Sequence, residues 1–488
     1  MKKILALIVV LLLMVPAIGL ADELEDLQKR IEKLEKKVKR ATSPDAITFS
    51  GDYQFRWDSL SATVPNYWAF DAATAAWMAG GMVGSPPASS FQSGYDVENS
   101  DLMTNRFGLN INARATRDIT VKARLLMYKT WGHQTSDPTM NPYFADRMMV
   151  FDGNTSHVPQ DSVVRVDQAF ASWSGIGGQP VWVSVGRRPS TGGIPTNLRR
   201  NQEKAGAGGT PGILVDYAFD GLVLGVAPEI SAMPGAYFKL CYGKGFEAGI
   251  QPTTSTLEDV KMLGLDMALY STDDLHLEFQ YNKAMDIFAM PEQVSGNMNM
   301  GDIQQYGIVV TGKVGSLNMF GSAAASKTSP NDNLYMIDSD GDGIPDMPVA
   351  GLLYNYGTPK EDKTGNAFYI GARYDIDSIK TKVGAEYNKG SEDWITFTPA
   401  ADDMWTSKLA TRGSVVEVYA IKELDQEAVS KKGKAFFRLG YQKYEFDYTG
   451  SGNWIGAGTD INKVNASPQM MPPVEEAEDI YLTFNVEF

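Results

Sequence analysis

The stretch DIYLTFNVEF, residues 479–488, alternates without a break: Ile480, Leu482, Phe484, Val486 and Phe488 are apolar, while Tyr481, Thr483, Asn485 and Glu487 can face water. A strand with one apolar face needs apolar material against one side only, either a protein core or the hydrocarbon of a membrane. Which of the two applies has to be decided by the rest of the chain.

The same period of two begins at ITFSGDYQFRWDS (47–59), where the odd positions are apolar, aromatic or small and the even ones polar. It returns in RFGLNINARAT (106–116), ITVKARLLMYK (119–129), PVWVSVGRR (180–188), ILVDYAFD (213–220), LHLEFQYN (275–282), AFYIGARYD (367–375), IKTKVGAEYN (379–388) and KAFFRLGYQKYEFDY (434–448). At ~3.3 Å per residue and a tilt near 40°, about ten residues rise about 25 Å, the height of an outer-membrane apolar band. The segment 67–84 is rich in small residues and carries Asp71, so it reads as a loop or short helix.

Connection lengths separate a membrane barrel from a soluble sandwich or propeller, because short and long connections alternate along the chain. The tight ones are Arg117-Asp118, 174–179, Asp220-Gly221, 271–274, 314–316 and 376–378, with a looser one at 423–432. The long ones fall near 60–103, 131–161, 189–211, 230–259, 289–302, 327–365, 390–411 and 449–477. These connections predict an all-β, transmembrane antiparallel β-barrel of 16 strands over residues 46–488, with both ends on the periplasmic side. The segment 236–245 is strand-like and is assigned to the preceding strand or its loop; another strand beside it would make the count 18. The final strand is expected to close the barrel on the strand at Ile47, leaving no edge in lipid.

The N-terminus sets the compartment. Lys2 and Lys3, the apolar run from Ile4 to Val15 and the small residues Gly19 and Ala21 read as a secretory signal peptide over 1–21. No cysteine follows the apolar run, which argues against a lipid anchor. Removing that segment takes the net charge from −15 to about −17, opposite in sign to a nucleic-acid binder. The single cysteine, Cys241, excludes a disulfide framework within the chain and a covalent haem motif. Over residues 22–41, Leu24, Leu27, Ile31, Leu34 and Val38 form an a/d seam, flanked by Glu25–Lys29 and Glu32–Lys36 pairs. The segment reads as a short periplasmic coiled coil that assembles the chain into a homo-oligomer.

An alternating last strand that ends on phenylalanine, behind a signal peptide, resembles the outer-membrane proteins, in which such an end serves assembly. The chain resembles bacterial porins, especially those that carry a short coiled-coil segment before the barrel. The resemblance implies a Gram-negative outer membrane, lipid contact, a trimer and a passive water-filled channel for small solutes or ions. A structural or adhesion barrel presenting large loops, and a sheath around a separate cytochrome, are the alternatives. Histidines number three and no HExxH, GxSxG or P-loop pattern occurs, so an enzyme is not expected.

Strand parity points Arg56, Arg106, Arg114, Lys122, Arg124, Arg165 and Arg188 inward, against only Asp52, Asp58 and Asp167 on the same faces. Such a wall would favour anions. Porins resembling this chain fold their third long loop into the barrel. Here that loop is PSTGGIPTNLRRNQEKAGAGGTPG (189–212), which would set Arg199 and Arg200 at a constriction with Arg187 and Arg188 at its rim. DSDGDGIPD (338–346) places Asp338, Asp340 and Asp342 at positions 1, 3 and 5 of a Ca²⁺ loop, the carbonyl of Ile344 at 7 and Asp346 at 9. Position 12 is Val349, unlike an EF-hand, so the expectation is a structural extracellular Ca²⁺ site resembling aspartate repeats.

Overall fold

The computed structural model describes residues 46–133, 157–202, 210–253, 255–289, 298–338, 345, 347–398, 402–430 and 433–488. The signal peptide, the coiled coil and, apart from Asp338, the proposed Ca²⁺ ligands lie outside the described residues.

Sixteen strands close into one antiparallel barrel. They are β1 (Ile47–Val64), β2 (Tyr95–Arg114), β3 (Ile119–Thr130), β4 (Arg165–Ser174), β5 (Val181–Ser190), β6 (Tyr217–Val226), β7 (Tyr237–Phe246) and β8 (Val260–Ser271). The second half is β9 (Leu275–Met285), β10 (Gly301–Val314), β11 (Leu317–Pro330), β12 (Thr364–Ile376), β13 (Thr381–Gly390), β14 (Gly413–Glu423), β15 (Lys434–Phe446) and β16 (Glu476–Glu487). The seam pairs β1 with β16 from Asp52–Glu487 to Thr63–Glu476, extended by reciprocal bonds between Gly51 and Phe488 at 2.8 and 2.9 Å.

Alternation does what the sequence predicts. Along β1 the even residues from Gln54 to Val64 are buried inside, and along β16 Ala477, Asp479, Tyr481 and Thr483 are buried. Phe49, Val185, Ile308, Val416, Leu439, Ile480 and Leu482 stand exposed on the outside. So continuous a belt of exposed apolar side chains suits hydrocarbon and not water. Each wall strand is hydrogen-bonded to a neighbour on both sides around the closed ring, so no strand edge is left open in lipid.

The count of sixteen conceals two local corrections. Asp220-Gly221 is no turn: β6 runs straight through it and pairs with β7 from Asp220–Lys244 to Val226–Phe238. An Asp-Gly pair is a strong hairpin signal, but here the glycine serves contact, since a Cβ at Gly221 would lie 2.1 Å from the Tyr242 carbonyl oxygen. The residues around 236–245 form the separate strand β7, and the short connection is 227–236. One false division and one missed strand cancel.

Eight long loops join the strands at the end opposite the termini: L1 (65–94), L2 (131–164), L3 (191–216), L4 (247–259), L5 (286–300), L6 (331–363), L7 (391–412) and L8 (447–475). L1 carries α1 (Ala72–Ala79), capped where Asp71 accepts from the Thr74 amide at 2.9 Å, and a small sheet that ties it to L8. Much of the loop mass turns into the bore. Ile213 to Val215 of L3, Leu352 and Leu353 of L6, Trp394, Ile395 and Phe397 of L7, and Trp454 of L8 join wall residues such as Tyr217, Met262, Ile303 and Tyr369 in one apolar core. Indole donors lock it: Trp394 Nε1 to the Leu409 carbonyl and Trp454 Nε1 to that of Phe288, both at 2.8 Å.

Candidate functional site: a loop-filled, charge-paired lumen

L3 enters the bore along a tight path that its glycines permit. A Cβ at Gly193 would meet the Thr210 carbonyl oxygen at 1.8 Å, and Gly192, at φ 66°, donates its amide to Asp216 at 2.6 Å. The turn α2 (Thr196–Arg199) then presents Arg199 and Arg200 to the far wall and to L7 (391–412). Arg199 lies 2.6 Å from Asp403 and 3.2 Å from Glu417 on β14. Arg200 reaches Asp216 at 3.1 Å and Asp402 at 3.4 Å. Lys408 of L7 bonds both Glu386 on β13 and Glu417. Arg438 on β15 donates to the Arg199 carbonyl at 2.9 Å and lies 3.7 Å from Asp402.

Arg56 anchors the same network at the seam. Its guanidinium is fully buried, 2.6 Å from Asp58 and 2.9 Å from Asp479, donates to the Asp402 carbonyl at 2.7 Å and stacks 4.4 Å over the Tyr481 ring. Arg106 pairs with Asp402 at 3.0 Å, and Arg124 with Asp52 at 2.6 Å and Asp167 at 3.4 Å. Burial raises the cost of each charge, so paired geometry of this kind is what allows them inside.

These contacts correct the picture of an uncompensated basic wall. The compensating carboxylates are Asp52, Asp58 and Asp167 on β1 and β4, joined by Asp479 of the adjoining β16 and Asp402 of L7, and only these last two are hidden from parity in β1 to β5. Arg187 is a further correction. It shares the outward face of Val185 and pairs across that face with Asp220 at 2.7 Å. Arg188 is on the inner face, 5.6 Å over the Phe170 ring. Arg165 sits at the loop end of β4, 3.7 Å from Asp161. Arg114 and Lys122 share the inner faces of Arg106 and Arg124 but are exposed near the turn end. Asp402, Asp403, Lys408, Glu386, Glu417 and Arg438 were not singled out by sequence. Glu417 could have been, as a carboxylate set between Val415, Tyr419 and Ile421 on the inner face of β14.

Beside this network, against the inner face of β1 to β3, remains a polar chamber of about 310 Å³ touched by Gln54, Arg106, Arg124, Arg200, Asp402 and Arg438. A second buried group lies on the wall of β7 to β9. Lys239 meets Asp266 at 2.8 Å, Tyr237 donates to Glu278 at 2.9 Å, and His276 bridges Ser271 at 3.0 Å and Glu278 at 2.7 Å. His276, Ser271 and Glu278 line neither this chamber nor the larger cavity on the loop side.

The L7 latch carries a pH prediction. Burial pushes the Asp402 carboxyl up, but the guanidiniums of Arg106, Arg200, Arg438 and Arg199 outweigh it and hold it well below the ordinary value of 3.8. Burial likewise raises the Asp403 carboxyl, and Arg199 and Lys408 bring it below 3.8. Depressed carboxylates stabilise the folded loops fully above their unfolded value, and the contribution is lost as pH falls through the folded one. L7 should therefore stay seated from pH 7 down to about pH 4 and loosen only in stronger acid. Protease accessibility of 391–412 across that range checks it, and loosening at pH 5 to 6 would contradict it.

Among solved structures, OmpT of Vibrio cholerae, expressed in the outer membrane, is similar at 12% identity and a TM-score of 0.39, covering 91% of this chain and 99% of its own. The in-vitro folded form of the same Vibrio cholerae outer-membrane protein gives 11% and 0.41, with the same coverage. OmpF of Salmonella typhi in complex with daunomycin gives 11% and 0.40, covering 90% and 97%. No curated protein matches the sequence. A family model described as "Protein of unknown function (DUF3373)" matches residues 96–488.

Proposed function

The chain belongs to the DUF3373 family, and for this member of it we propose the role of a narrow outer-membrane channel passing small solutes or ions passively. The polar chamber between the L3–L7 network and β1 to β3 carries the reading. A barrel needing only wall strength has no use for a polar, charge-lined space beside its plug, whereas a conducting one requires it. Termini and short turns face the periplasm, and the eight long loops face outward. Because most lumen cations are paired, selectivity is weak, with an anion bias confined to the exposed Arg114 and Lys122 near the turns. Proteoliposomes should swell in small neutral or ionic solutes and exclude disaccharides and larger sugars. Swelling indistinguishable from empty liposomes would favour a structural barrel presenting loops.

Two further features belong to this proposal. The seam at 22–41 joins copies of the chain, by analogy three; deleting it should dissociate oligomers on native gels while leaving the barrel folded, and unchanged assembly would give the helix another partner. The aspartate loop at 338–346 takes Ca²⁺ with a Kd of about 10⁻⁴–10⁻³ M, as extracellular modules do. Millimolar Ca²⁺ should slow proteolysis between about 327 and 365, and Asp340→Ala with Asp342→Ala should abolish the difference. Equal cleavage with and without Ca²⁺ would make the motif an acidic turn.

A further inference from the structure

On the loop side lies a cavity of about 680 Å³, bounded by L1, L6, L7 and L8 and floored by the apolar core. Tyr217, Phe397, Trp405 and Trp454 contribute aromatic surface, and Met347 and Met470 flank it. None of its described lining residues is Asp, Glu, Lys, Arg or His, although 21% of the chain is charged. The contrast with the chamber below, where Asp52, Arg106, Arg124, Asp167, Arg200 and Arg438 all reach the surface, is complete.

Four of the polar side chains around the upper cavity are committed to the protein, whereas the buried Ser407 hydroxyl has no partner among the described residues. Thr396 donates to the Ile213 carbonyl at 2.6 Å and Thr398 to that of Gly212 at 2.5 Å. The Gln469 amide donates to the Ser467 carbonyl at 2.9 Å, and the Asn355 side-chain oxygen accepts from the Ala457 amide at 3.1 Å. What the site offers a visitor is therefore aromatic and thioether surface with a few neutral hydroxyls and no charged partner. Its size is that of a pocket for one small organic molecule. Tyr356 and Met470 are exposed, so apolar surface continues to its mouth.

We propose that this cavity is a binding site for a neutral aromatic small molecule, captured from the external medium. Aromatic rings and methionine favour flat, polarisable ligands through stacking and sulfur–ring contacts. An anion is disfavoured because its charge would lose water without gaining a partner. Conduction and capture are separate properties, and the inference shares with the proposed function only the outward orientation of the loops.

Equilibrium dialysis of the full-length protein in nanodiscs, against empty nanodiscs, tests this with 2-naphthol, neutral at pH 7, and 2-naphthoate, its charged counterpart. The expected result is saturable binding of 2-naphthol and at least about tenfold weaker binding of 2-naphthoate. Met347→Glu and Met470→Glu should each weaken 2-naphthol binding about tenfold or more. Val429→Glu, in the short connection at the opposite end, should leave it unchanged. Retention of the folded band on unheated gels establishes that each variant is intact. Uptake of 2-naphthol no greater than by empty nanodiscs, equal binding of the two probes, or no effect of either methionine variant would overturn the proposal. Binding without solute-driven swelling would retain the pocket and reject the channel; swelling without binding would do the reverse.

Discussion

Arg199→Ala should enlarge the single-channel conductance severalfold. Arg199 is 4% exposed and joins three parts of the molecule: α2 of L3, Asp403 of L7 and Glu417 on the wall. Removing it leaves two buried carboxylates short of a cation, and breaking a buried pair in this way costs about 3–5 kcal/mol. The barrel does not need L3 or L7 for its hydrogen-bonded ring, so the loss falls on loop packing. Local opening of a subregion is the natural response when its own contacts are the ones removed. Lys408 remains beside Glu386 and Glu417, so the opening should be intermittent, with long bursts of larger current. Arg199→Lys keeps the charge but not the fork and should show a smaller increase. Unchanged conductance in Arg199→Ala would mean that L3 does not limit the pore.

The second large effect concerns the seam. Arg56 holds Asp58 of β1 and Asp479 of β16 together at zero exposure while also binding the Asp402 carbonyl of L7. Arg56→Ala leaves two carboxylates facing each other across the closing strand pair and is expected to cost about 3–5 kcal/mol. The measurement is the urea midpoint of the folded barrel, read by heat-modifiable gel mobility. Asp58→Asn with Asp479→Asn in the Arg56→Ala background should recover part of the loss, because the unpaired charges are then gone. A midpoint equivalent to less than about 1 kcal/mol of change would show that strand pairing alone holds the seam.

The sequence and the structure agree where period two governs. Ile480 to Phe488 could be read as a lipid-facing strand from ten letters, and its pairing with β1 follows from the need to close the edge. Asp220-Gly221 misled because a dipeptide with strong turn chemistry was placed for close strand contact, and the identity of β7 went with it. The third-loop resemblance sets Arg187 at the constriction rim beside Arg188, whereas parity with Val185 puts it outside. Local patterns could not show that Asp402 and Asp403 come back from L7 to meet Arg106, Arg199 and Arg200. A loop's path depends on what it meets, and L3's glycines suit an inward or an outward course equally. The uncharged cavity was hidden for the same reason, since its walls are gathered from four loops far apart in sequence.

The central claim is that a wetted path survives beside the L3–L7 plug. It is tested most directly by single-channel recording of the full-length wild-type protein in planar bilayers at neutral pH. Discrete, ohmic steps with a reversal potential close to zero in a salt gradient are predicted, the steps small because the bore is largely filled and the selectivity weak because its charges are paired. A bilayer containing correctly folded protein that gives no steps, at any voltage the membrane tolerates, would contradict the account and make this a closed barrel.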